Sequence, residues 1–319
     1  MPAAIDRAIK RIFNHRGLSR PLRAKSLIAT LFGDVIESYG GRIWLGDLIN
    51  LVQLFDINER LLRTSIYRLG ADGWVIKTRE GRRSIYELST EGREQTALAH
   101  ELIYHYPQKN WNGVWNFVIV PAKGIPADRL FQLQHRLSLM GFGMLGKNIF
   151  AHPDMDNKLV IKVVAELGLQ DQVPIMQSHT VGTATRNQGF ELNREMVKQC
   201  CPFDEADIQY QLFIDAYQPV LETVKKATSI SKENSFRIRI LFIHDYRRLL
   251  FKDPQLPIEL LPPDWSGNRA REIVRQLYIL VYEQANNHYL DVCADKTVRQ
   301  CIKRDFFTRL GGLTGNPTV

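Results

Sequence analysis

Apolar residues first fall into helical register between Ser26 and Tyr39. Leu27, Ile28, Leu31, Val35, Ile36 and Tyr39 recur at one-turn spacing until Gly40-Gly41 stops the run. The segment RIWLGDLINLVQLF then opens as a short extended piece and continues as a helix with Leu45, Leu48, Ile49 and Val52 on one face. Asp56-Ile57-Asn58 is a tight connection, with Asn58 placed to cap the next helix. In that helix Leu62, Ile66 and Leu69, widened by Leu61, form a buried stripe. The same period gathers Arg60, Arg63, Thr64, Tyr67 and Arg68 on the opposite face. Asp72-Gly73 turns the chain, WVIKTR reads as a strand, Glu80-Gly81 as a tip and RSIYEL as the returning strand. Three helices and a hairpin carrying Arg79, Arg82 and Arg83 are in the order of a winged helix-turn-helix. A basic helical face alone is more often plain solvated surface. Here it coincides with a short helix, a turn, a DG turn and a basic hairpin, and together these predict a DNA reader. A helix has the width of the major groove, and the hairpin cations would reach flanking phosphates.

From Ser89 or Thr90 a further helix runs to Tyr104–Tyr106, ended by Pro107. WNGVWNFVIVP is a buried strand. Leu130, Leu133, Leu137 and Met140 define an amphipathic helix that starts near Pro126 and ends at Gly141. A short strand near Phe142–Leu145, the strand NIFAHP, the helix NKLVIKVVAEL and the strand QVPIMQSHTV complete β-α-β-β-α-β, a ferredoxin-like order. Within it GFGMLG matches a dinucleotide-binding glycine pattern, but it follows a helix and precedes a strand, the reverse of what pyrophosphate binding needs, so it reads as a turn. Residues 182–190 read as a linker. Helical segments over about 204–226, 233–250 and 268–286 follow, with the proline-rich connector DPQLPIELLPPDW between the last two. The fold class is α+β and multidomain: a basic arm over 1–25, a winged helix-turn-helix over 26–106, a ferredoxin-like unit over 107–181 and an all-helical C-terminal domain over 190–319.

Charge sharpens this picture. The chain of 319 residues carries a net charge of +8, which favours a polyanionic partner, nucleic acid first. Residues 1–25 hold Arg7, Lys10, Arg11, Arg16, Arg20, Arg23 and Lys25 against the single acid Asp6, the composition of a solvated arm that can touch phosphate. Cys200, Cys201, Cys293 and Cys301 show no metal-ligand spacing, and His135, His152 and His179 have no partner at such spacing, so no metal or cofactor is expected. No apolar run is long enough to span a membrane and no leader follows the basic start, which predicts a cytoplasmic protein.

Several blocks are more distinctive than their periodicity: LFGDVIESYGGRIWLGDL, LRTSIYRLGADGWV, GRRSIYELS, WNGVWNFVIV, GFG, LFIHDYRRLLFKDPQLPIELLPPDWSGNRA and RLGGL. Over roughly residues 25–312 the chain resembles the PaaX family of transcriptional repressors of bacterial phenylacetate catabolism. The resemblance implies a homodimer on a partly palindromic operator, released by phenylacetyl-coenzyme A. Its basic N-terminus and Cys-containing tail depart from the family pattern.

On this reading Arg60, Arg63, Thr64, Tyr67 and Arg68 face the bases, and Arg82 and Arg83 the backbone. For an acyl-coenzyme A effector, His244, Arg247 and Arg248 supply cations and Tyr246 or Trp265 a stacking surface. The alternative for that cluster is structural: Arg247 or Arg248 pairs with Asp253 to pin its helix to the connector. Trp111 and Trp115 are assigned to the core of the central unit. Two other functions compete: a regulator of the same family answering another acyl-coenzyme A, or an enzyme. A metal-dependent nuclease needs paired carboxylates at a strand end, and VWNFVIVPA has none. A thioesterase needs a positioned nucleophile and base, and the chain has no GxSxG.

Overall fold

The computed structural model describes residues 2–15, 22–105, 111–179, 186–200, 203–251, 253, 256–293 and 304–313. In chain order the elements are α1 (Pro2–Phe13), α2 (Ala24–Asp34), β1 (Arg42–Trp44), α3 (Leu45–Gln53), α4 (Glu59–Ala71), β2 (Val75–Glu80), β3 (Arg83–Leu88), α5 (Thr90–Tyr104), β4 (Val114–Ile119), α6 (Ala127–Leu139), β5 (Gly143–Gly146), β6 (Ile149–His152), α7 (Asn157–Glu166), β7 (Ile175–His179), α8 (Arg186–Cys200), α9 (Phe203–Lys226), α10 (Lys232–Leu250) and α11 (Ser266–Val292). A 3-10 segment, Arg304–Gly311, closes the described chain. The fold is α+β, with two small antiparallel sheets among the described residues. The chain divides into two compact units, one of residues 1–107, 209–251 and 266–319, the other of 108–208 and 252–265.

In the first unit α2, α3 and α4 precede the β2–β3 hairpin, and β1 adds to it in the order β1-β3-β2. The hairpin turn is two residues, Gly81-Arg82, between Glu80 and its partner Arg83. Gly81 has φ 59°, the left-handed value that a tight hairpin demands at its first turn position and that glycine adopts without steric cost. Asn58 caps α4 as the sequence predicts, its side chain accepting from the Leu61 amide at 2.9 Å.

The N-terminus departs from expectation. Residues 2–13 are not a solvated arm. They form α1, which buries Ile5, Ile9 and Ile12 and ties to α10 where the Asn234 amide donates to Asp6 Oδ1 at 3.0 Å. The isoleucines recur at four and three residues, so one face is apolar while Arg7, Lys10 and Arg11 stay exposed on the other. Burying each isoleucine is worth roughly 1.5–3 kcal/mol, enough to hold a short helix down.

Helix α10 is buried over most of its length, with Phe236, Ile238, Ile240, Leu241, Phe242 and Ile243 inside beside the polar Arg239, His244 and Asp245, and it packs on α2, α5 and α11. The helical segments expected as a separate C-terminal domain therefore do not stand apart. Both α10 and α11 share a compact unit with α2–α5, whereas α8 belongs to the other unit. Residues 186–190, expected as linker, are the start of α8, while 180–185 lie outside the described residues.

In the second unit β4, α6, β5, β6, α7 and β7 build an antiparallel sheet of order β5-β6-β4-β7. Val118 and Val120 meet Leu133 and Leu137 of α6 and Val160 and Val164 of α7 in one core. Helix α8 packs on the face bearing Trp115, whose indole donates to Asn193 Oδ1 at 2.7 Å. Trp115 is core, as expected, and Trp111 packs edge-on against it. GFGMLG leads from a left-handed Gly141 (φ 86°) into β5, with no helix N-terminus after it.

Candidate functional site

Helix α4 divides cleanly. Leu62, Ser65, Ile66 and Leu69 are buried, while Arg60, Arg63, Thr64, Tyr67 and Arg68 are exposed. Tyr67 is 76% exposed, a large aromatic surface left open by the described residues. Arg63 is steadied one turn back by Glu59, its Nε 2.7 Å from Oε1, and Thr64 donates to the Arg60 carbonyl at 3.0 Å. Arg82 projects from the hairpin turn, whereas the guanidinium of Arg83 lies 4.0 Å from the ring centre of Trp44 on β1. Helix and hairpin thus each carry exposed cations.

A second feature lies inside this unit. A cavity of about 510 Å³ opens between α2, the end of α4, α5 and α10. Ala29, Leu69, Trp74, Ala99, Ile103 and Ile243 make its walls apolar, and the exposed Lys25, Asp72, Gln95 and Phe251 mark its open side. Lys25 pairs with Asp72, the residue that caps the C-terminus of α4.

One strong cation is built into the wall. Arg247 Nη2 donates to the Ser26 carbonyl at 3.0 Å and to Ser26 Oγ at 3.1 Å, and its ring neighbour is Phe251. Among the described residues no carboxylate pairs with it. Burial pushes its titration down to about 10. Its Nε and the Thr96 hydroxyl, both buried, have no hydrogen-bond partner.

At the cavity wall Asp34 centres a fully buried polar cluster. Arg239 Nε donates to its Oδ2 at 2.7 Å, and Arg309 Nη1 donates to its carbonyl at 2.9 Å and lies 3.2 Å from Oδ1. The hydroxyls of Tyr104 and Tyr278 also donate to this carboxylate. Arg309 further donates to Ser38 Oγ at 2.8 Å and faces His100 Nε2 at 2.6 Å. Burial alone would raise the Asp34 carboxyl, but the two guanidinium groups overcome it and hold the group below the usual carboxylate range. The cluster joins α2, α5, α10, α11 and the closing 3-10 segment.

Of the effector residues read from the sequence, only Arg247 reaches this cavity. His244 is buried with Nδ1 3.1 Å from Thr30 Oγ1, and Tyr246 packs against Phe213 of α9, ring centres 5.8 Å apart. Arg248 is half-buried next along the helix, and Trp265 is buried in the other compact unit. Sequence reasoning did not single out Ser26, Asp34, Thr96, Arg239 or Arg309. One signal for Asp34 and Arg239 existed: each is a charge inside a run of apolar residues, which must find a partner or unfold its helix.

Comparison with known proteins places the chain in a family. The family model described as PaaX-like protein matches residues 23–92, spanning α2 to the start of α5, and the model for the PaaX-like protein C-terminal domain matches 202–291. A transcriptional repressor PaaX from Escherichia coli (strain K12) is 34% identical over 259 residues, which cover 81% of this chain and 80% of that protein. The chain belongs to the PaaX family. A solved structure, the uncharacterized protein Rv0674 from Mycobacterium tuberculosis, is similar with a TM-score of 0.48 and 22% identity over 76% of this chain and 89% of that one.

Proposed function

We propose that this protein is a DNA-binding transcriptional repressor of phenylacetate catabolic genes, acting as a homodimer and released from its operator by phenylacetyl-coenzyme A. The observation that carries the DNA-binding part is the exposed face of α4, where three arginines, Thr64 and a 76% exposed Tyr67 stand opposite a buried leucine–isoleucine stripe. On this reading α2–α4 and the β2–β3 hairpin are a winged helix-turn-helix, α4 enters the major groove, and Arg82 and Arg83 approach the backbone. The β4–β7 unit is ferredoxin-like, its β-α-β-β-α-β order and strand order supporting that assignment. The reading makes the protein a regulator, not an enzyme, with double-stranded DNA and an acyl-coenzyme A as partners. No described helix is long and apolar enough to cross a membrane.

The test uses an operator selected from a random duplex pool and scored against scrambled duplex. Arg63→Ala with Arg68→Ala removes two groups able to pair bidentately with guanine, each worth roughly 1–3 kcal/mol of discrimination. The double variant is expected to keep its circular dichroism and salt-sensitive non-specific binding while losing preference for the operator. Undiminished preference would overturn the assignment of α4.

A further inference from the structure

The cavity between α2, α5 and α10 has the features of a ligand site that also acts as a switch. It is large enough to enclose most of a drug-sized molecule, its exposed lining is mostly apolar, and Thr96, Arg247 and the edge of the Asp34 cluster bring polar groups to its wall. Thr96 offers a buried hydroxyl without a partner, and Arg247 a buried cation whose contacts are a neutral hydroxyl and a carbonyl. A buried guanidinium held only by neutral groups is poorly compensated, so an acceptor brought by a ligand competes for it on favourable terms.

We infer that the acyl end of an acyl-coenzyme A thioester enters this cavity, accepts from Arg247 in place of Ser26, and thereby releases one of the ties between α2 and α10. This rests on the effector reading above. A coenzyme A thioester exceeds the enclosed volume, so its phosphate-bearing end lies at the open side. Arg23 and Lys25 stand there, and Lys25 holds Asp72 at the C-terminus of α4. A phosphate on Lys25 competes with Asp72 just as the acyl carbonyl competes with Ser26. Both exchanges replace contacts of the α2–α4 head, the first with α10 and the second within the head, so a ligand in the cavity acts directly on the DNA-reading helices. Release of DNA then follows from differential affinity, and the coupling is reciprocal.

Calorimetry on the full chain without DNA, using phenylacetyl-coenzyme A, bare coenzyme A and phenylacetate as probes, tests the site. The thioester is expected to bind most tightly, because only it presents both the apolar group and the phosphates. Ala99→Phe fills the cavity from α5 and is expected to weaken thioester binding by at least tenfold. Ser26→Ala removes the competing hydroxyl. It is expected to tighten thioester binding and weaken operator binding by severalfold, up to about the tenfold that one hydrogen bond to a charged group carries. If the wild-type chain binds none of the probes, the effector reading falls and this inference with it. If the wild-type chain binds the thioester and Ala99→Phe binds it equally, the effector stands and the cavity is the wrong place. If Ser26→Ala weakens the thioester, or leaves the operator unchanged, the exchange at Arg247 is wrong.

Discussion

Replacing Arg247 by methionine separates a functional arginine from a structural one. Methionine keeps the apolar stem along the cavity wall and removes only the charge and its donors. Holding the guanidinium's titration down at about 10 means that burying its charge costs roughly 3 kcal/mol. Both contacts to Ser26 are made by the one nitrogen Nη2, so together they return about the 1.5–3 kcal/mol of a single bond made by a charged donor. The two terms nearly cancel. Arg247→Met is therefore expected to unfold within about 1 kcal/mol of the parent in urea, with an unchanged denaturant slope, while its response to phenylacetyl-coenzyme A is lost. A protein under selection for stability alone has no reason to retain such a residue. A loss of 3 kcal/mol or more with an intact thioester response would refute the reasoning and make Arg247 a pin for its helix.

Asp34 is expected to behave in the opposite way. Asp34→Asn leaves Arg239 and Arg309 buried without a counter-charge and should cost about 3–5 kcal/mol in chemical unfolding. Because the folded carboxyl titrates below its unfolded value of about 3.9, its contribution is complete above that pH and lost as pH falls through the folded value. The gap between parent and Asp34→Asn should thus be flat near neutrality and close only below about pH 4; a gap that closes between pH 5 and 7 would contradict the assignment. Gly143→Ala should fail to give a normally stable protein, because a Cβ there would fall inside the Cys200 carbonyl of α8; a melting curve equal to the parent's would show that α8 does not close on β5.

Much was legible in the residues alone. The one-turn apolar stripe of α4, capped by Asn58 and followed by a glycine-turned hairpin, is local information, and local sterics and periodicity decide it. The strand and helix order of the second unit was legible for the same reason. The basic N-terminus shows how a charge count misleads: seven cations hid the spacing of Ile5, Ile9 and Ile12, and that spacing carries the burial energy.

The cavity and the Asp34 cluster were not legible, since each is assembled across more than two hundred residues. Arg239 and Arg309 reach Asp34 from 205 and 275 positions away, and Arg247 reaches Ser26 from 221. The sequence marks such groups only as charges needing partners. Periodicity tells which face of α10 and α2 is apolar but not which helices those faces meet. That choice rests on non-local packing, where shape and volume must match along whole helices at once. The cations of α4 are local facts about a surface; the meaning of Arg247 exists only once α10 lies against α2.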